Sequence, residues 1–221
     1  MNILKSKIST VQDVAAKRAI KQFASKFKFV YFGKINQHES DQWVVRGVTL
    51  SVSHKDDYCA MGSFRGRDVV VVERQNTLNF LPGQSKNYKW QIMQIDLKSK
   101  GLPHVFLDAN HHEKSFYYDF FAKYSKHENL YGSFLQDDPQ FLKYFKILAN
   151  QSDINKVRSM ISPEITAMLA HHFKQFDYEI DDDTLIIYAT NMSITVKNLQ
   201  EMLRVGVWLA DELDKKRSYQ K

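Results

Sequence analysis

The sequence predicts an α+β fold, an antiparallel sheet with helices packed on one face and a basic N-terminal helix. Between residues 44 and 97, four short runs rich in β-branched and aromatic residues follow one another and are bounded by turn residues. The strongest apolar stripes at helical spacing come later, after residue 160. Strands in a run with helices segregated behind them are typical of α+β proteins rather than of alternating α/β folds.

The first predicted element is a helix over residues 10–29. Thr10 can cap it, and Asp13 lies in the first turn, where the helix dipole favours an acid. Its apolar residues repeat every four positions, at Val11, Ala15, Ala19, Phe23 and Phe27. The lysines fall on another side, so the helix is amphipathic and basic.

The predicted strands of the first half cover residues 44–53, 58–64, 69–74 and 88–97. Asp56 and Asp57 supply a turn between the first two strands. Arg65 and Gly66 supply the next turn, since glycine adopts the positive φ of a tight hairpin. Residues 76–87, which contain a Leu-Pro-Gly sequence, are predicted to be an exposed loop.

The second half is predicted to contain an extended segment at 104–107, a short helix at 115–124 and a strand at 141–148. Ser162 as N-cap and Pro163 at the first helical position open a helix. A hairpin follows, with strands at 178–180 and 184–189 around three aspartates. A helix with a full apolar stripe, residues 196–215, closes the chain.

The composition indicates one domain with an arm. The 221 residues are 43% hydrophobic and include only eight Gly and four Pro, without an internal repeat or a low-complexity linker. We therefore divide the chain into a basic arm, residues 1–34, and a single α+β domain, residues 35–221.

Positive charge is concentrated in the arm. Residues 1–34 hold eight Lys and Arg side chains against one acid, whereas the remaining residues carry 23 basic and 24 acidic side chains. The predicted contacts with an anionic surface, a membrane above all, are Lys17, Arg18, Lys21 and Lys28. The alternative, which stays open, is an ordinary solvated helix face whose Phe23 and Phe27 pack on the body.

The predicted hairpin offers a second anion site. Arg65 and Arg67 flank Gly66, and two guanidinium groups at a hairpin tip can bind a phosphate or carboxylate. The alternative is that both arginines are solvated or pair with acids such as Asp68 and Glu73.

The sequence contains no pattern that clearly predicts a metal site or a catalytic site. His111, His112 and Glu113 are adjacent, so their side chains diverge on either a strand or a helix, and at most one or two of them could share an ion. In the pair His171 and His172, the second joins an apolar helix face, where we expect it to be partly buried. No catalytic residue, metal ligand or cofactor is predicted.

A cytoplasmic location is expected. The single cysteine, Cys59, excludes an intramolecular disulfide, and no apolar run of about 18 residues is available to span a bilayer. Lys5 and Lys7 interrupt the apolar stretch that a secretory signal requires. Attachment to the inner face of the membrane remains an open extension of this prediction.

Several motifs together resemble one protein family. They are the runs KRAIKQFA at 17–24, GSFRGRDVVV at 62–71, GLP at 101–103, FLKYFKI at 141–147, YEI at 178–180 and DTLIIY at 183–188, together with Trp43. In this order they resemble a family of uncharacterised bacterial proteins. The resemblance implies a basic helix, often tethered by a membrane helix just before it, a sheet with a Gly-x-Tyr/Phe-Arg-Gly-Arg hairpin, and a C-terminal helix. Residues 1–9 are too short to supply that tether.

The favoured function is a non-enzymatic binding or scaffolding module. Its expected partner is an unknown protein or an anionic membrane surface. One alternative is an enzyme whose site forms only by tertiary convergence. The other is a weak nucleic-acid binder acting through the basic arm, which the near-neutral body disfavours.

Overall fold

The computed structural model describes residues 2–34, 45–51, 54–81, 84–109, 112–134, 138–190 and 192–217. These residues confirm the α+β prediction. They form one antiparallel sheet of nine strands in the order β1-β2-β3-β4-β9-β8-β5-β7-β6. Within the described residues, no helix combines the length and the apolar character needed to cross a bilayer.

The strands are β1 (Val30–Gly33), β2 (Lys55–Phe64), β3 (Arg67–Leu81), β4 (Gln84–Asp96), β5 (Leu102–Asp108), β6 (His127–Asn129), β7 (Lys146–Asn150), β8 (Asp177–Asp182) and β9 (Thr184–Thr190). The helices are α1 (Asn2–Phe27), α2 (Lys114–Lys123), α3 (Tyr131–Phe134), α4 (Pro139–Tyr144), α5 (Ile154–Met160), α6 (Pro163–His172) and α7 (Val196–Arg217).

One face of the sheet is covered by α1, α7 and the α4–α6 group. The apolar stripe of α7 and the buried side of α1 meet alternate residues of the strands in one continuous core, which includes Ile20, Val71, Met93, Ile187 and Leu209. Alternation along each strand places every second side chain on this face. The helical spacing of apolar residues in the helices and their alternation in the strands thus place both on this shared core.

The opposite face carries a second, more aromatic core. Phe116 of α2 packs there against Trp90, and Phe120 of α2 packs against Phe106. Phe106 in turn packs against Tyr188. Helices are predicted on one face of the sheet, and those helices are there, but α2 lies on the other face. The long aromatic side chains of α2 supply enough apolar area for a ten-residue helix to cover this region.

The helix α1 ends in a tight turn that leads directly into the edge strand. Lys28 adopts a left-handed conformation, with φ 59°. The Phe29 N–H donates to the Ala24 carbonyl at 2.8 Å and the Lys28 N–H to the Ser25 carbonyl at 3.4 Å, the pattern of a Schellman cap. Phe29 is buried, so the end of α1 is fixed on the body.

Four predicted turns, loops or strands are wrong. Asp56 and Asp57 lie inside β2, and β3 and β4 extend through most of the predicted loop at 76–87, of which residues 82 and 83 lie outside the described residues. Residues 45–51 of the predicted strand 44–53 form turns instead. The predicted strand 141–148 divides into the end of α4 and the start of β7. Partners distant in sequence override local propensity at these positions.

The hairpin turn between β2 and β3 is as predicted. Arg65 and Gly66 have φ 53° and 72°, which is the conformation of a type I′ turn. A Cβ at Gly66 would meet no atom within 4 Å, so backbone conformation alone determines the cost of a larger residue there.

Replacing Gly66 with valine should lower the free energy of unfolding by about 1–2 kcal/mol, because a β-branched residue is strained at positive φ. Urea denaturation measures the change. Lys100→Ala, at an exposed position outside the regular elements, is the control and should have little effect. Equal denaturation midpoints for the two variants would contradict the turn assignment.

Candidate functional site

The predicted basic residues lie on the solvent side of α1. The opposite side of the helix is buried through Ala16, Ile20 and Phe23. We call the four predicted contacts the basic face. Lys17, Arg18 and Lys21 are exposed on α1, and Lys28 is exposed in the turn that follows it. Because the apolar stripe is occupied by the core, the basic face is held in a fixed position on the body.

One exposed apolar side chain lies on α1 itself, and two more lie on the edge strand. Val14 in α1 and Val30 and Phe32 in β1 are 62%, 60% and 58% exposed. The strand β1 is the edge of the sheet and contacts α1. Tyr31, between Val30 and Phe32, packs on the core that α1 covers, so those two side chains point to the opposite face of the sheet and only Val14 lies beside the cations of α1.

The two arginines of the hairpin have different environments. Arg65 is exposed in the turn. Arg67 is 3% exposed and pairs with Asp211 at 2.8 Å and Asp214 at 2.6 Å, both on α7, while its Nη1 donates to the Asp96 carbonyl at 3.1 Å. Burial opposes the charge of Arg67, but these bonds outweigh it and raise its pKa. The prediction that Arg67 projects from the tip is therefore wrong, and its role is to tie the hairpin to α7.

The face under α2 holds buried ionisable groups that sequence did not indicate. Glu179 on β8 accepts hydrogen bonds at Oε2 from the Val48 N–H, at 2.9 Å, and from the Tyr188 hydroxyl. Its Oε1 lies 2.8 Å from His104 Nε2, and His104 Nδ1 lies 2.8 Å from His127 Nε2. Burial and the neighbouring His104 lower the pKa of His127.

A buried ion pair fixes the turn at 45–51 on the same face. Arg74 on β3 contacts both carboxylate oxygens of Asp56, at 2.6 and 2.7 Å. It also donates to the Val45 carbonyl at 2.5 Å and to Thr49 Oγ1 at 3.1 Å. All of these contacts are buried, so the pair with Asp56 compensates a charge that would otherwise be costly.

Further along this face, two aspartates converge on a histidine, a group that we call the Asp108 cluster. Asp108 ends β5, Asp177 begins β8, and His112 lies in the connection before α2. His112 Nε2 is 2.9 Å from Asp177 Oδ2 and 3.8 Å from Asp108 Oδ1. One ligand atom from each residue lies within 4.8 Å of the others, so the group has the dimensions of a metal site.

Surrounding groups orient the two carboxylates. The Ala109 N–H donates to Asp177 Oδ1 at 2.9 Å. The Tyr117 hydroxyl donates to Asp108 Oδ2, and Lys146 Nζ lies 3.6 Å from the same oxygen. Burial, followed by the charge of Asp177, raises the pKa of Asp108, and burial likewise raises the pKa of Tyr117. Strongly perturbed groups of this kind are common at functional sites.

Sequence reasoning found one of the three members of the cluster. It singled out His112 within the His111, His112 and Glu113 run, but Glu113 is exposed and His111 lies outside the described residues. Asp108 and Asp177 are distant in sequence and meet because β5 pairs with β8, with Leu107 opposite Tyr178. A correct register for these two strands is the signal that would have brought the aspartates together.

Two other residues singled out in the sequence have structural explanations. Cys59 is buried, and burial raises the pKa of its thiol to about 12, which makes it a poor nucleophile. His172, expected to be partly buried, is exposed together with His171 at the end of α6.

No protein-family model and no curated protein sequence matches the chain. Among solved structures, the chain is similar to the crystal structure of the mycobacterial trehalose monomycolate transport factor A, TtfA. The TM-score is 0.59 at 11% sequence identity, over 91% of this chain and 94% of that chain. At this identity the likeness establishes a shared fold over nearly the whole length of both proteins.

Proposed function

We propose that this protein is a non-enzymatic binding module that docks on an anionic membrane surface from the cytoplasmic side. The observation that carries the proposal is the geometry of α1. Its apolar stripe is buried in the core, whereas Lys17, Arg18, Lys21 and Lys28 face solvent. A helix fixed in this way offers a preformed cationic surface, which has less conformational freedom to lose on binding.

The exposed apolar residue on α1 supports a lipid surface over a purely ionic partner. Val14 is 62% exposed and lies about one helical turn before Lys17 and Arg18. Exposed apolar side chains contribute by entering the headgroup region, whereas lysine and arginine contribute by attraction to anionic lipid.

The burial of the ionisable clusters favours binding over catalysis. The side chains of Asp108, His112 and Asp177 are 0% exposed, and that of Glu179 is 1% exposed. The similar structure, TtfA, is described as a transport factor, and a binding role in this chain agrees with that description.

Charge sets the expected strength of docking. Each lysine or arginine near an anionic bilayer contributes about 1 kcal/mol. Replacing Lys17, Lys21 and Lys28 together with glutamine should therefore weaken binding to vesicles containing acidic lipid by roughly 100-fold. Binding of the wild type should also fall as salt rises, because the surface potential is screened. Co-sedimentation over a range of lipid concentrations measures both effects.

A matched variant separates a specific surface from overall charge. Lys100, Lys126 and Lys143 are also exposed, and replacing all three with glutamine removes the same charge elsewhere on the molecule. This control should bind vesicles nearly as well as the wild type. Equal losses in the two triple variants would contradict the proposal. Efficient competition by short RNA would contradict it also, and would favour a phosphate-backbone binder.

A further inference from the structure

We infer that Asp108, His112 and Asp177 form a binding site for one divalent transition-metal ion, and we assign Zn²⁺ as that ion. The inference is independent of membrane docking, since it concerns the opposite face of the sheet. It rests on how the carboxylate oxygens are arranged, on the distances between donors, and on burial.

The two carboxylates divide their oxygens in the same way. The outer oxygen of Asp177, Oδ1, accepts from the Ala109 N–H, and the outer oxygen of Asp108, Oδ2, accepts from the Tyr117 hydroxyl. The other oxygen of each carboxylate faces His112 Nε2, and that of Asp177 also accepts a longer hydrogen bond from Thr190 Oγ1, at 3.3 Å. Outer hydrogen bonds that direct a single oxygen inward are the usual second shell of metal-binding carboxylates.

The distances favour a shared cation over a shared proton. Nε2 lies within hydrogen-bond distance of Asp177 Oδ2, at 2.9 Å, but 3.8 Å from Asp108 Oδ1, which is too far for a hydrogen bond. A proton on Nε2 therefore serves one carboxylate. A metal ion with bonds of about 2.0–2.2 Å holds its donors roughly 3–3.6 Å apart and can contact all three after small adjustments.

Burial adds a requirement for positive charge. The side chains of all three residues are 0% exposed, and two carboxylates in one buried place need compensation. Lys146 lies 3.6 Å from the outer oxygen of Asp108 and is itself 35% exposed, so it compensates from the solvent side only. A divalent ion between the inner oxygens would supply positive charge at the centre of the group.

The donor set selects the kind of ion. One imidazole nitrogen with two carboxylate oxygens suits Zn²⁺, whereas Ca²⁺ and Mg²⁺ prefer oxygen donors throughout. The imidazole is also held in place, since its ring stacks on Phe116 with 4.1 Å between centroids. An ion bound here joins the end of β5, the start of β8 and the approach to α2.

The test begins with the full wild-type chain, stripped with EDTA and dialysed. Isothermal titration with Zn²⁺ should give one site per chain, and Zn²⁺ should raise the melting temperature above that of the stripped protein. Mg²⁺ at the same concentration should not. Absence of Zn²⁺ binding, or an equal rise with Mg²⁺, would overturn the assignment without the need for any variant.

Variants then locate the ion. Asp177→Asn and His112→Gln should each weaken Zn²⁺ binding at least about 100-fold, more than the loss of an outer-shell partner. Asp181→Asn makes the same chemical change at an exposed position on β8 and should keep full affinity. The double variant His171→Gln and His172→Gln removes two exposed histidines, and loss of binding there would show an adventitious surface site instead.

Discussion

Replacing Arg74 with methionine is expected to lower the free energy of unfolding by about 3–5 kcal/mol, the loss typical of a buried pair deprived of one partner. Asp56 would remain buried and charged, and Thr49 would lose its guanidinium donor. Chemical denaturation, followed by tryptophan fluorescence, measures the change. Arg65→Met, in the exposed hairpin turn, is the matched control and should change stability by less than about 0.5 kcal/mol.

A double variant tests the cause of this loss. Removing both charges, with Arg74→Met and Asp56→Leu, should recover much of the stability, because apolar residues of similar volume often replace a buried pair at little cost. If the double variant is as unstable as the sum of the single variants, packing of the turn rather than the uncompensated carboxylate determines the effect.

Replacing Phe23 with alanine should cost about 3–5 kcal/mol, as truncation of a fully buried aromatic residue does. Phe23 is 0% exposed and its ring centroid lies 4.8 Å from that of Phe27 and 5.6 Å from that of Phe29. The loss is expected because the cavity would open between α1 and the sheet. Thermal or urea denaturation provides the measurement.

The control for Phe23 is an exposed aromatic residue from the same part of the chain. Phe32→Ala, at 58% exposure, should leave stability nearly unchanged. A small effect at Phe23 would mean that α1 is only loosely attached. The basic face would then not be preformed, and the functional proposal would lose its main support.

The sequence was most informative where local pattern and tertiary environment agree. The apolar stripe that ends in Leu213, the Ser162-Pro163 helix start and the Arg65-Gly66 turn are correct because each depends on neighbours in the chain. α1 was predicted over residues 10–29, whereas it runs from Asn2 to Phe27, so Thr10 lies within the helix and does not cap it. Its amphipathic pattern alone did not establish whether it packs on the body.

The errors occur where a distant partner changes the preference of a residue. Asp56 is typical of a turn, but in β2 its charge is compensated by Arg74, eighteen residues later. Arg67 was expected to face solvent because its partners, Asp211 and Asp214, belong to the last helix. The Asp108 cluster was missed for the same reason, since its convergence depends on a strand register that one sequence does not specify.

The strand order separates the two proposed sites along the sheet. The strand β1 beside the basic face and the strand β5 that carries Asp108 are the first and seventh strands of the nine. At about 4.8 Å between neighbouring strands, six spacings correspond to roughly 29 Å along the sheet. This exceeds three Debye lengths at physiological ionic strength, where one is about 8 Å. The sheet thus holds the two proposed sites far enough apart that substitutions on the basic face leave the ligands of the ion site in place, and each site serves as an internal control for the other.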